Sequence, residues 1–327
     1  MGSSGGFAAN GGRCFDVFNG DADGICALHM LRLAEPREVE LVTGVKRDIA
    51  LLGRVAVQPG DMVTVLDISL DKNRAALLDV LAAGAAVDYF DHHFAGEIPE
   101  HAGLRCHINT AATICTGLIV HGHLQGRFAP WAVVAAFGDN MDEAALALGH
   151  GVGLSDSELE TLKTLGVCLN YNGYGESVAD LLFHPADLYR EIQPWEDPLA
   201  MVAEAPTYQV LREGYARDMA QAWQLSPQAH SEQGAVYVLP DAPWSRRVSG
   251  VFGNALTQRY PERAHAVLTR RGEGGYTVSV RAALNRRDGA DALCRQFEGG
   301  GGRKAAAGIN HLAEAELERF LGLFSAL

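Results

Sequence analysis

Through the first half of the chain, short apolar runs end repeatedly in aspartate. The run 14–18 leads to Asp21 and Asp23, 62–66 leads to Asp67, and 86–90 leads to Asp91. A further apolar run lies at 39–43, and the intervening stretches 24–33 and about 72–82 carry helical spacing. Short strands alternating with helices specify an α/β domain on a largely parallel sheet. Open sheets of this kind bind ligands outside the carboxyl ends of their strands. Three strand ends therefore deliver acids to one rim of one sheet.

Helical patterns continue at 111–121, 130–137 and 156–165. A Pro- and Trp-containing break at 193–198 is followed by a helical stretch at 199–223 and a polar loop at 225–234. A second α/β unit then begins, with strands at 235–239, 264–269 and 276–281 and helices at 246–259, near 290–297 and at 314–324. A length of 327 residues agrees with two domains. The expected division is a disordered leader over 1–12, a parallel-sheet domain over 13–192, a helical connector over 193–233 and a smaller α/β domain over 234–327. The Gly/Ser-rich start has neither the basic nor the apolar region of a signal peptide. No apolar run approaches the ~18–20 residues of a membrane span. Six cysteines without a C-x-x-C pair, most inside apolar segments, read as reduced thiols of a cytoplasmic protein.

A net charge of −13 argues against coating long nucleic acid, which needs a broad basic surface. A small anionic substrate is compatible with it, because basic residues cluster in the last third, at Arg246-Arg247, Arg270-Arg271, Arg281, Arg286-Arg287 and Arg303-Lys304.

The acids sit in segments suited to metal. In Asn19-Gly20-Asp21-Ala22-Asp23-Gly24, two carboxylates two residues apart on a strand-to-helix turn can face neighbouring cations. Alone, the segment also reads as a turn with an aspartate N-cap. Asp91-His92-His93 sets acid beside imidazole at a strand end, which is costly unless the groups coordinate or hydrogen-bond. Asp67, and Gly138-Asp139-Asn140 after an apolar helix, extend the pattern. Carboxylates with one imidazole suit Mn²⁺ or Mg²⁺ better than structural zinc, which recruits thiolates.

In this order, the segments FNGDADG, VLDIS, DYFDHH and FGDN resemble the four metal motifs of the DHH phosphoesterase superfamily. The later segment from Gly301 to Gly308, GGRKAAAG, resembles the glycine-rich loop of the DHH-associated C-terminal domain. The resemblance spans nearly the whole chain from Cys14 onward and implies a DHH domain and a substrate-binding domain with a cleft between them. It implies two Mn²⁺ ions, with Mg²⁺ as the alternative. Asp21 would bind the first ion and Asp23 the second, Asp67 would bridge them, and His92 and Asp139 would complete the second ion's ligands. His93 would face substrate phosphate or the reacting water, and Asp91 would orient a ligand imidazole.

Two positions depart from the family pattern. Asn19 stands where the first motif usually opens with histidine, and its amide oxygen would be a weaker ligand for the first ion. Prune-like relatives also carry asparagine in this motif, so Asn19 does not imply an inactive enzyme. Arg303 stands where the family loop carries histidine, and arginine can bind phosphate bidentately. Gly300, Gly301, Gly302, Arg303 and Lys304 would cradle an anion with backbone N–H groups and a helix N-terminus, although the glycine run also reads as a flexible linker. Arg281, at a strand end, would hold a substrate phosphate.

The function expected is metal-dependent hydrolysis of 5′-phosphorylated dinucleotides or very short oligonucleotides such as pGpG, as in the nanoRNase and oligoribonuclease members. The resemblance leaves open a cyclic-dinucleotide, pAp or polyphosphate phosphohydrolase, and a catalytically degenerate nucleotide-binding module. It also allows a homodimer. His121 and His123 read as helix-terminal rather than as a metal pair. The segment 171–175 reads as a turn.

Overall fold

A parallel strand covered on both faces needs a near-continuous apolar run, and the first sheet is built from such runs. The computed structural model describes residues 11–325 and 327, so the leader expected over 1–12 lies outside the described residues apart from Gly11 and Gly12. The chain divides into two compact units, the first ending at Arg212 and the second running Glu213–Leu327.

In chain order the elements before the division are β1 (Cys14–Asn19), α1 (Ala22–Ala34), β2 (Glu40–Gly44), β3 (Met62–Leu66), α2 (Leu70–Ala82), β4 (Ala86–Asp91) and β5 (Leu104–Ile108). Then come α3 (Thr116–His123), α4 (Ala129–Gly138), α5 (Asp142–Gly151), α6 (Asp156–Gly173), α7 (Pro185–Ile192), α8 (Pro198–Glu204) and α9 (Pro206–Trp223), inside which the division falls. The five strands are all parallel, in the order β2-β1-β3-β4-β5. The strands expected to carry the acids, β1, β3 and β4, are therefore adjacent at the centre. One face of the sheet, with Phe15, Val17, Val63, Val65, Val87 and Tyr89, packs on Leu70, Leu77 and Leu81 of α2. On α4, Trp131 and every residue after it are buried.

One ion pair lies inside this apolar frame. Asp16, fully buried in β1, accepts from Arg32 Nε at 2.7 Å and Nη2 at 2.5 Å, and the same Nη2 donates to Thr64 Oγ1 at 3.0 Å. The two-pronged geometry offsets the desolvation of both charges.

The second unit contains β6 (Ala229–His230), β7 (Gly234–Leu239), α10 (Pro243–Arg259), β8 (Ala264–Arg270), β9 (Tyr276–Arg281), α11 (Ala290–Cys294), β10 (Gly300–Arg303), β11 (Ala306–Leu312) and α12 (Leu317–Phe324). Its sheet runs β10-β11-β9-β8-β7-β6, with β7 and β8 parallel and the other pairs antiparallel. Val278, Val280, Leu268, Ile309, Leu293, Phe297, Phe320 and Phe324 form its core.

Several local expectations change. The edge strand β5 has no counterpart in the sequence reading, because its half-buried residues lack an apolar run. The turn expected at 171–175 is the end of α6. Tyr171 is buried there, and the Asn172 side chain takes the backbone N–H groups of Leu182 and Phe183 and donates to the Phe183 carbonyl. The helical stretch 199–223 is two helices, broken at Ala205, whose position before Pro206 disfavours helical backbone. No helix starts after the glycine run. Residues 300–303 pair as β10 with β11, so their amides belong to a hairpin. Gly302 has φ +144°, and a Cβ there would lie 2.5 Å from the Ala307 Cα.

Among the described residues no disulfide joins the six cysteines, and four of them are buried. Among the described residues no helix is long and apolar enough to cross a membrane.

The first unit also buries a histidine in neutral form. His29 on α1 lies edge-on to Trp131, with ring centroids 4.7 Å apart, and its Nε2–H donates to the Trp195 carbonyl at 2.7 Å. Burial pushes this imidazole from 6.5 down to about 4. As pH falls below 6.5, the unfolded chain takes up a proton that the folded chain refuses, so stability is lost between about pH 6.5 and 4. His29→Leu should shrink the difference in unfolding free energy between about pH 7 and about pH 5 by roughly 2 kcal/mol in urea titrations. An unchanged difference would show that His29 is not the group responsible.

Candidate metal centre

The turn from β1 into α1 divides its two aspartates. Asp21 is the N-cap of α1, and its Oδ1 accepts from the N–H groups of Asp23 at 3.0 Å and Gly24 at 3.1 Å. Asp23 turns to the start of α3, where Thr116 N donates to Oδ2 at 2.8 Å and Gly117 N to Oδ1 at 2.7 Å. This anchor explains why a helix expected from 111 begins only at Thr116: the first free amides of α3 are spent on a carboxylate from another element. Gly117 is needed at the contact, since a Cβ there would stand 2.4 Å from the Ala135 Cβ and 3.1 Å from Asp23 Oδ1.

Asp67 follows β3 with φ +60°, a conformation that aspartate tolerates better than most residues but that still stores strain. Its N–H donates to the Phe90 carbonyl at 3.0 Å, and its Oδ1 accepts from Thr116 Oγ1 at 3.1 Å. Asp139 caps the carboxyl end of α4, where the helix dipole disfavours a negative charge.

His92 faces three of these acids. Its Nδ1–H donates to the Ile114 carbonyl at 2.9 Å, which leaves Nε2 as the lone-pair nitrogen. That Nε2 lies 3.4 Å from Asp67 Oδ1, 3.8 Å from Asp139 Oδ2 and 4.0 Å from Asp23 Oδ2. The three carboxylates expected around the second ion therefore converge on the imidazole nitrogen of the fourth residue, His92. Ligand atoms of Asp67, His92 and His93 also lie within 4.8 Å of one another.

Asp91 is fully buried at the end of β4, and its partner is His93 rather than His92. His93 Nδ1–H donates to Asp91 Oδ1 at 2.7 Å, and the His93 side chain is 42% exposed. The imidazole that Asp91 orients is thus the one expected to face substrate, while a backbone carbonyl orients His92. Asn19 is 4% exposed; its Nδ2 donates to the Lys46 carbonyl at 3.2 Å, and its Oδ1 accepts no hydrogen bond from the described residues.

The sequence reading omits Lys46 and Thr116. The Lys46 ammonium hydrogen-bonds Asp21 Oδ2, donates to Asn170 Oδ1 at 3.0 Å and lies 3.8 Å from Asp139 Oδ1. Lys46 stands two residues past β2, the strand that carries no motif, so no spacing pointed to it.

Charge balance differs across the cluster. Burial acts to raise the Asp21 carboxyl, but the Lys46 ammonium and the helix amide outweigh it and hold the group below its usual range. Burial raises the Asp23 carboxyl, with Asp139 and Asp21 adding to it against the pull of His92. Burial, then the charges of Asp23, Asp21, Asp139 and Asp91, push Asp67 well above the usual carboxylate range. Among the described residues no lysine or arginine lies within ion-pair distance of Asp23 or Asp67, whose nearest basic neighbours are the imidazoles of His92 and His93. Three carboxylates and an aimed imidazole nitrogen, short of positive charge, fit a hard divalent cation.

The second unit's expected anion-binding groups are partly committed to the fold. Arg281, at the end of β9, donates from Nε to Asn254 Oδ1 at 2.6 Å and from Nη1 to Ser279 Oγ and the Val280 carbonyl at 3.0 Å. Gly300, Gly301 and Gly302 form β10, ending in the exposed Arg303, and the exposed Lys304 has its Nζ 3.8 Å from Asp288 Oδ2. Arg247 is buried on Asp218 at 2.6 Å, and Arg286 donates to the Leu327 carbonyl. His123 ends α3, as expected of a helix-terminal residue.

No family model matches the sequence, and no curated protein sequence matches it. Solved structures do match. Exonuclease RecJ bound to manganese superposes with a TM-score of 0.60 at 18% identity, over 97% of this chain and 90% of that chain. The pGpG-specific phosphodiesterase PggH from Vibrio cholerae gives 0.56 at 16% identity, over 96% of this chain and 98% of that chain. RecJ in complex with Mn²⁺ from Thermus thermophilus gives 0.57 at 18%, over 97% of this chain and 52% of that chain. The chain has the DHH fold. The DHH fold supplies the parallel sheet whose central strand ends carry Asp21, Asp23, Asp67 and Asp91, and a second sheet in the C-terminal unit.

A raised carboxyl pKa in the folded state means that stability is lost as pH climbs past the group's ordinary value. At neutral pH without divalent ions, Asp67→Asn should therefore be at least as stable as the wild type in thermal denaturation. Mn²⁺ at about a hundredfold excess over its Kd should stabilise the wild type by roughly 2.7 kcal/mol, and Asp67→Asn by clearly less. Equal stabilisation of both proteins would remove Asp67 from the centre.

Proposed function

We propose that the protein is a metal-dependent phosphodiesterase that hydrolyses 5′-phosphorylated dinucleotides or very short oligonucleotides of the pGpG kind. The observation that carries this reading is the convergence of Asp23, Asp67 and Asp139 on the Nε2 of His92 at the rim of a parallel sheet. Mn²⁺ or Mg²⁺ held there would activate water and neutralise phosphoryl oxygens.

The remaining roles belong to side chains of this chain. Thr116 steadies Asp67 through its hydroxyl and Asp23 through its amide, so both carboxylates are oriented before anything binds. Asp91 holds the Nδ1–H of His93, which leaves the Nε2 of a half-exposed imidazole able to accept a proton from an attacking water and later donate one. Arg303 and Lys304, exposed in the second unit, carry positive charge of the kind a phosphate pairs with.

Two considerations support a short substrate. The net charge of −13 disfavours extended contact with a long polyanion. The likeness to a pGpG-specific phosphodiesterase covers 98% of that chain, so no further nucleic-acid module is needed to account for a short substrate.

The test is to incubate the purified protein with Mn²⁺ and, separately, pGpG, cyclic di-GMP, pAp, polyphosphate and a labelled ten-nucleotide RNA. The expected result is rapid cleavage of pGpG to mononucleotides and little action on the long strand. Asp67→Ala should lower the rate by more than the roughly 10–100-fold that changes behind a metal ligand cause. Absence of hydrolysis of every substrate, with metal bound, would overturn the enzymatic reading.

A further inference from the structure

We infer that the Lys46 ammonium takes the place of one of the two cations, so that the centre binds a single divalent ion on the side of Asp23, Asp67 and His92. This inference rests on the metal-dependent reading above and concerns how many ions the centre holds.

Lys46 is built into its position. Its N–H donates to the Gly173 carbonyl at 2.7 Å, and its carbonyl accepts from Asn19 Nδ2 at 3.2 Å, so the backbone is pinned on both sides. The side chain, only 24% exposed, ends on Asp21 Oδ2 and Asn170 Oδ1, with Asp139 Oδ1 at 3.8 Å. An ammonium has three donors and no acceptor, and here it stands among oxygens as a cation would.

Asp21 has little left to offer an ion. Its Oδ1 is spent on the first amides of α1, and its Oδ2 is taken by Lys46. The buried Asn19 Oδ1, which accepts nothing from the described residues, is a donor that another ion could use. That ion would have to share Asp21 with an ammonium, and two cations at such range repel strongly in a buried site. On the opposite side, Asp23 and Asp67 have no lysine or arginine within ion-pair distance among the described residues, and His92 Nε2 is aimed at them. The asymmetry assigns the divalent ion to Asp23, Asp67, His92 and Asp139, and the monovalent charge to Asp21.

The experiment is metal counting on the full chain, stripped with EDTA, reloaded with Mn²⁺ and gel-filtered, with Mn²⁺ electron paramagnetic resonance on the same samples. The wild type should hold one Mn²⁺ per chain and give the hyperfine pattern of an isolated ion. Lys46→Gln should hold two ions and give the signature of an exchange-coupled pair. Asp21→Asn keeps the N-cap oxygen and should still hold one ion.

Two coupled ions in the wild type would overturn the inference while leaving the metal-dependent reading intact. One ion in both the wild type and Lys46→Gln, or loss of the ion in Asp21→Asn, would also overturn it. No Mn²⁺ in the wild type would overturn both readings. Wild type and Asp21→Asn suffice if Lys46→Gln does not fold.

Discussion

Carboxylates packed beside one another below the protein surface cannot all stay charged without a counter-charge, and much of the first unit is arranged around that constraint. Asp21, Asp23 and Asp67 are each nearly fully buried, and they come from the ends of two adjacent strands, β1 and β3, of one sheet. Asp139 adds a negative charge at the wrong end of a helix. The protein answers part of this charge itself. The first amides of α1 and of α3 each take one aspartate, and Lys46 takes an oxygen of Asp21. What remains unanswered lies around His92 Nε2, and that remainder of negative charge defines the centre.

The same constraint links local geometry to chemistry. Thr116 is held by Asp23 and holds Asp67, so the start of α3 and the orientation of two carboxylates are one arrangement. The left-handed backbone of Asp67 is tolerated because its N–H is fixed to the Phe90 carbonyl of the neighbouring strand β4. Two adjacent histidines then take different roles through their partners: the Ile114 carbonyl turns His92 inward, and Asp91 holds the more exposed His93.

Much of this was legible in the sequence because two periodicities were clean. Fully buried parallel strands such as 62–66 read as uninterrupted apolar runs, and the acids directly after them marked the rim. The edge strand β5 lacked that signal, because a half-buried strand need not be apolar. The composition of the glycine run does not reveal its strand pairing with β11. That Asp91 holds His93 and not His92 is not legible in the sequence, since adjacent residues on a chain carry no information about which way each ring turns. Lys46 was invisible for a deeper reason. It reaches Asp21 and Asn170 from 25 and 124 residues away, by a path that only the folded sheet defines.

The most direct test is a crystal of the protein soaked in Mn²⁺, with anomalous diffraction measured at the manganese edge. The account predicts an anomalous peak about 2 Å from His92 Nε2 and from oxygens of Asp23, Asp67 and Asp139. No peak among these four side chains, or a peak held elsewhere in the chain, would contradict it.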